Sequence, residues 1–131
     1  MFHAFCHCEL NSTNEKSSID FFSKLFPDWK LDTQPMPNGN YTLINPPGFP
    51  GASRGAAGAI LTNPVPGAPA MWVCYIMVED IHASTAKLEE LGAPIHHKLH
   101  DVGSGFITIF AEPSGAITGL YQPKPGTIPG I

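Results

Sequence analysis

Cys6, His7 and Cys8 stand in a row near the N-terminus of a 131-residue chain, in the run FCHCEL, and Glu9 follows them. Thiolate, imidazole and carboxylate all bind transition metals, and an imidazole beside a carboxyl can also pass a proton. The two chemistries need different geometry. If the run is a strand, successive side chains face opposite sides, so His7 and Glu9 share one face and Cys6 and Cys8 the other. The thiols then cannot close on an ion held by His7, and they read as small apolar residues. His7 and Glu9 remain as a pair for proton transfer or for orienting a ligand. A second cluster, His96, His97, His100 and Asp101 in HHKLHD, has the residue types of a zinc site, with His96 and His100 four apart as on a metal-binding helix. Pro94 precedes it, however, and a weak strand and loop with solvated or partly buried imidazoles is the expected outcome.

The elements that position these groups come in two copies. Adding 66 to the residue number lays CELNSTNEKSSIDFFSKLF, from Cys8, on CYIMVEDIHASTAKLEELG, from Cys74, and GNYTLINPP, from Gly39, on GFITIFAEP, from Gly105. Beyond that, GAI at Gly58 meets GAI at Gly115 with a shift of 57, which leaves nine extra residues (66 minus 57) in the loop GFPGASRGA. Each copy opens with a β-prone strand, Phe5 to Leu10 and Trp72 to Val78. Asn14 and Asp80 follow as N-caps. Ile19, Phe22 and Leu25 or Phe26, and likewise Ile81, Thr85, Leu88 and Leu91, then recur at helical spacing and give each helix one apolar face. Pro27 and Pro94 prevent continuation, and Gly92 suits a helix stop. Two or three strands complete each copy. Such a unit cannot bury both its helix face and its sheet face alone, so the copies are expected to share a sheet around a cavity.

Composition narrows the function. With 43% hydrophobic and 14% charged residues the chain has the balance of one compact domain. Seven basic residues against eleven acidic ones give a net charge of -4 with no basic cluster, which argues against nucleic acid as a partner. The apolar stretch at Met71 to Val78 is too short to span a bilayer and no secretory signal is evident, so no membrane partner and a cytoplasmic location are expected. Three cysteines make no disulfide framework. The Gly- and Pro-rich tract from Pro46 to Pro69 lacks the Gly-Lys-Ser/Thr ending of a phosphate loop and reads as a flap and linker, with Arg54 its one charged residue.

WVCYIMVEDIHASTAKLEELGAPI with EPSGAITGLYQP resembles the second module of the vicinal oxygen chelate superfamily, which includes glyoxalase I, bleomycin resistance proteins and extradiol dioxygenases, and SIDFFSKLF resembles its first-module helix. Glu112 stands where that family usually has Asp. The resemblance implies an α+β fold: two tandem βαβββ modules, about 3–64 and 70–123 with a tail at 124–131, forming a cupped eight-stranded mixed sheet with helices outside. It implies metal ligands on the first and last strand of each module, which fall here on His7, Thr62, Val73 and Gly119. Only His7 is of a ligating type, so no metal or other cofactor is expected. The implied function is metal-independent binding of a small organic molecule in the inter-module cleft, by a homodimer, with His7, Glu9, Thr62, Val73, Tyr75, Gly119 and Tyr121 lining the site. The alternative is a glyoxalase-type lyase or isomerase in which His7 and Glu9 are catalytic.

Overall fold

A computed structural model describes residues 2–36, 39–48 and 58–126. In chain order they form β1 (Phe5–Ser12), α1 (Glu15–Leu25), β2 (Lys30–Met36), β3 (Gly39–Asn45), β4 (Gly58–Thr62), β5 (Met71–Met77), α2 (Ile81–Glu90), β6 (Ile95–Asp101), β7 (Gly105–Ala111) and β8 (Ile117–Pro123). This is the expected α+β class, two βαβββ modules of mixed sheet. By contacts the chain divides into two compact units, residues 7–73 and residues 1–6 with 74–131. The first residues join the second unit through His3 N–H to the Met77 carbonyl at 2.6 Å and Met77 N–H to the Ala4 carbonyl at 2.9 Å.

In the first unit the strand order is β2-β3-β4-β1, with β1 and β4 parallel and the other pairs antiparallel. The Asn14 side chain caps α1 by accepting from Ser17 N–H at 3.1 Å. Cys8, Leu10 and Ser12 face the helix side of β1. Leu10 meets Ile44 and Ile60 there, and Ile19, Phe22, Trp29 and Leu31 pack against them. The expected stripe ends early. Leu25 is 51% exposed, and Phe26 is already the C-cap, so its ring leaves the stripe and lies 4.8 Å from that of Trp29.

The second unit repeats this plan as β5-β8-β7-β6, with β5 and β8 parallel. Asp80 caps α2 by accepting from Ala83 N–H at 3.1 Å. Val78, Ile81, Phe110 and Leu120 form the core, joined by Ile76, Leu88 and Ile95, whereas Leu91 is exposed beyond the last turn. The matched residues Thr42 and Thr108 are both fully buried on the helix side, and each bonds a second threonine hydroxyl, Thr33 at 3.0 Å and Thr85 at 2.9 Å. Buried hydroxyls are tolerated because each has its partner.

The strand registers correct the alignment of the last strands. Cys8 pairs with Gly58 and its equivalent Cys74 with Thr118, so the shift there is 60 (118 minus 58), not 57. The two GAI runs match in letters only. Gly115 is a turn residue at φ +95°, whereas Gly58 is a strand residue whose side chain would press on the Cys8 carbonyl oxygen.

Glu112, at the turn between β7 and β8, accepts from Ser114 N–H at 2.9 Å, Ala116 N–H at 3.0 Å and the Ser114 hydroxyl. The Ser114 hydroxyl, followed by the Ala116 N–H, holds the carboxyl below its ordinary value of 4.5. A depressed carboxyl stabilises the fold above its unfolded pKa and loses that contribution as pH falls through the folded value. Glu112→Gln should therefore lower the thermal midpoint at pH 7, with the deficit relative to the wild type shrinking on acidification below about pH 4.5. A deficit unchanged between pH 7 and pH 3 would contradict this account.

Candidate functional site

On β1 the residues facing away from α1 are His7, Glu9 and Asn11. Glu9 pairs with Ala59 on β4 and Ala59 with Leu43 on β3; Asn11 pairs with Leu61 and Leu61 with Tyr41. Tyr41 thus stands on the same face as His7 and Glu9, with β4 between. Ala59 is small enough to leave room for its ring to reach back across that strand. The Tyr41 hydroxyl donates to Glu9 Oε2 at 2.8 Å and lies 2.9 Å from His7 Nε2, while His7 Nε2 and Glu9 Oε2 are 3.8 Å apart. A phenol has one proton to give. If it goes to Glu9, the bond to His7 must run from a protonated Nε2 into the phenolic oxygen. The His7 and Glu9 side chains keep 19% and 14% of their surface exposed, so the chain is sheltered yet reachable. Beside it, Asn11 Oδ1 is buried with no hydrogen-bond partner among the described residues.

Sequence reasoning missed Tyr41 and Asn11. Asn11 could have been found, because it continues the period of two that groups His7 with Glu9. Thr62 goes the other way. It pairs with Ser12 on the helix side, and its hydroxyl donates to Glu15 Oε2 of α1 at 3.2 Å. The structure does not bring it to His7 and Glu9, because the shift of 57 put it one step out of alternation; the residue equivalent to Gly119 is Ala59.

In the second module Val73 and Tyr75 are buried on β5, and Tyr75 pairs with Gly119 on β8. The Tyr75 ring lies over Gly119, and a methyl group there would overlap it. Tyr121 is tied down by its hydroxyl, 2.9 Å from Ser104 Oγ and 3.2 Å from the Ser104 carbonyl oxygen. The cysteines form no disulfide, and Cys6 Sγ donates to the Tyr75 carbonyl at 3.5 Å.

The positions at which the fold family places metal ligands do not fit an ion. Ala59, Val73 and Gly119 have no donor side chain, and the space at Gly119 holds an aromatic ring. Among the described residues no three His, Cys, Asp or Glu side chains are gathered in a group that could hold one. His96, His97 and His100 are exposed on β6. Register shifts between Ile95 and His100, with Leu99 at φ +49°, set His97 opposite Ile109 and His100 opposite Ile107, and their rings meet edge to face at 4.5 Å. Partial burial, then the neighbouring His100, lowers the His97 pKa. Arg54 lies outside the described residues. No helix among them is long and apolar enough to cross a membrane.

No family model matches the chain. CFP32 of Mycobacterium tuberculosis, named as a proposed glyoxylase, is 29% identical over 121 residues, covering 87% of this chain and 43% of that protein. The anthracycline biosynthesis protein DauV of Streptomyces sp. (strain C5) is 30% identical over 125 residues, covering 87% and 45%. The chain thus spans less than half the length of these relatives. A variant of Streptomyces coelicolor methylmalonyl-CoA epimerase in complex with 2-nitronate-propionyl-CoA shares the fold, with a TM-score of 0.66 at 13% identity over 94% of this chain and 99% of that one.

The contact between Tyr75 and Gly119 makes a specific demand. Gly119→Ala should cost about 1–3 kcal/mol of unfolding free energy through overpacking, measured by urea denaturation. Combining it with Tyr75→Val should cost less than the sum of the two single changes. Additive costs would show that the two positions do not compete for the same space.

Proposed function

We propose that the chain belongs to the vicinal oxygen chelate superfamily and is a glyoxalase- and bleomycin-resistance-like protein that binds a small organic molecule without a metal. The observation that carries this reading is the hydrogen-bonded chain His7–Tyr41–Glu9, half-sheltered on the sheet face away from α1. Its outward atoms can accept from and donate to a ligand's hydroxyl and carbonyl groups. The orphan Asn11 Oδ1 supports it, since a buried acceptor without a partner is costly and a ligand donor would satisfy it. Metal independence is supported by the residues at the chelating positions, of which His7 alone is a ligand type. The name of DauV points to polycyclic aromatic molecules bearing hydroxyl and ketone groups as the class to try first.

One observation favours a second reading, a glyoxalase-type lyase or isomerase. A proton taken up at His7 Nδ1 can pass from Nε2 through the Tyr41 hydroxyl to Glu9 Oε2, each bond moving by one step. Binding and turnover separate in one experiment. An anthracycline, followed by its own fluorescence, should bind saturably and with equal affinity before and after dialysis against a chelator. Tyr41→Phe should weaken binding about tenfold, the loss expected for one hydrogen bond to a charged group. Chelator-sensitive binding, or a stoichiometric divalent ion in the purified protein, would overturn metal independence, and unchanged affinity in Tyr41→Phe would remove the site from this face. Consumption of the probe, with a rate falling a hundredfold or more in the same variant, would favour the enzyme.

A further inference from the structure

The two modules differ at their edge strands. By the shift of 66, Leu31, Thr33 and Gln34 of β2 correspond to His97, Leu99 and His100 of β6. β2 runs against β3 without a break, from Lys30 opposite Asn45 to Met36 opposite Gly39. β6 breaks register twice against β7, between Ile95 and His97 and again between His97 and His100. The fold does not ask for these breaks, since the first module is built without them. Their effect is on facing. Residues three apart on a regular strand look to opposite sides, yet His97 and His100 lie opposite Ile109 and Ile107, which are two apart on β7 and so share one face. Ile95 and Leu99 meanwhile pack on the core around Ile81. The second break is held in place. Leu99 takes φ +49°, costly for a leucine, and its N–H donates to the buried Thr108 hydroxyl oxygen at 3.1 Å. Bulges of this kind re-aim side chains.

We propose that His97 and His100 form a two-imidazole chelate for a divalent transition-metal ion of tetragonal preference, copper(II) or nickel(II). Their ring centres are 4.5 Å apart, with planes at 68°. An ion bound by an imidazole nitrogen at about 2.1 Å sits about 3.2 Å from that ring's centre, so two rings meeting at a right angle have centres about 4.5 Å apart, and at a tetrahedral angle about 5.2 Å. The observed spacing is that of the right angle, which tetragonal copper(II) and nickel(II) sites prefer and tetrahedral zinc(II) does not. Each ring's centre lies near its Cβ–Cγ axis, so turning the ring aims a nitrogen at the ion and keeps the spacing. Both rings are exposed, and neither has a hydrogen-bond partner among the described residues to oppose the turn. Lys98 and Lys124, the cations at this edge, are paired with Glu89 and Asp101 at 3.1 and 3.0 Å. His96 falls inside the first break, and the pair is made without it. Water or the oxygen atoms of an incoming molecule complete the coordination. The site shares no residue with His7, Tyr41 and Glu9.

Calorimetric titration of the folded chain with nickel(II) chloride at neutral pH tests this, nickel being chosen because it does not oxidise the free thiols. His97→Ala and His100→Ala should each weaken one site about 100-fold or more, because losing one imidazole turns a chelate into a single attachment. Other donors, His3 and His7 among them, stay in every variant, so this site is counted by difference. His96→Ala should leave the titration unchanged, and unchanged far-ultraviolet spectra should show all three variants folded. A titration identical in the wild type and the His97→Ala/His100→Ala double variant would overturn the proposal. So would a loss in His96→Ala equal to that in His97→Ala, which would mark a loose histidine-rich tract in place of a built pair. Tighter binding of zinc(II) than of nickel(II) at this site would overturn the tetragonal assignment.

Discussion

Each module depends on the pairing of its first strand with its last, in parallel. That pairing crosses from one end of the module's chain to the other, and it decides which side chains of both strands look toward the helix. Leu10 and Ile60 become core only because Cys8 lies opposite Gly58; a slip of one residue would turn Glu9 and Ala59 toward α1 and put the apolar set in water. With burial of the helix side fixed, the composition of the other side is released from the demands of folding. His7, Glu9 and Tyr41 can stand there at no cost to the core.

Much of this was legible in the residues. The repeat, the caps Asn14 and Asp80, and the opposite facing of His7 and Cys8 follow from local rules of period and capping that tertiary packing did not override. What was not legible needed pairing information. The last strand of the first module was placed by the letters GAI, and those letters hide two different glycines, one required by a turn and one by a close carbonyl. Tyr41 lies 34 residues from His7 in sequence, and nothing short of the β1–β4–β3 register brings the two together. The ends of the helices also escaped, because a periodic stripe does not reveal where a cap turns the chain aside, as it does at Phe26.

The two modules have used the same freedom differently. In the first, the face away from the helix holds a polar chain around a small alanine. In the second, the equivalent strands hold Val73, Tyr75 and a glycine filled by its neighbour's ring, and the tyrosine hydroxyl at 121 is committed to Ser104. Identical backbone plans thus carry unlike surfaces.

The seating of Tyr75 on Gly119 also constrains descent. A carboxylate side chain at 119 would press on the Tyr75 ring as even a methyl group does, so the size of residue 119 is coupled to that of residue 75. A smaller residue at 75 leaves a hollow beside Gly119 that a side chain at 119 can then fill. The less costly order of change is therefore the shrinking of residue 75 before the enlargement of residue 119.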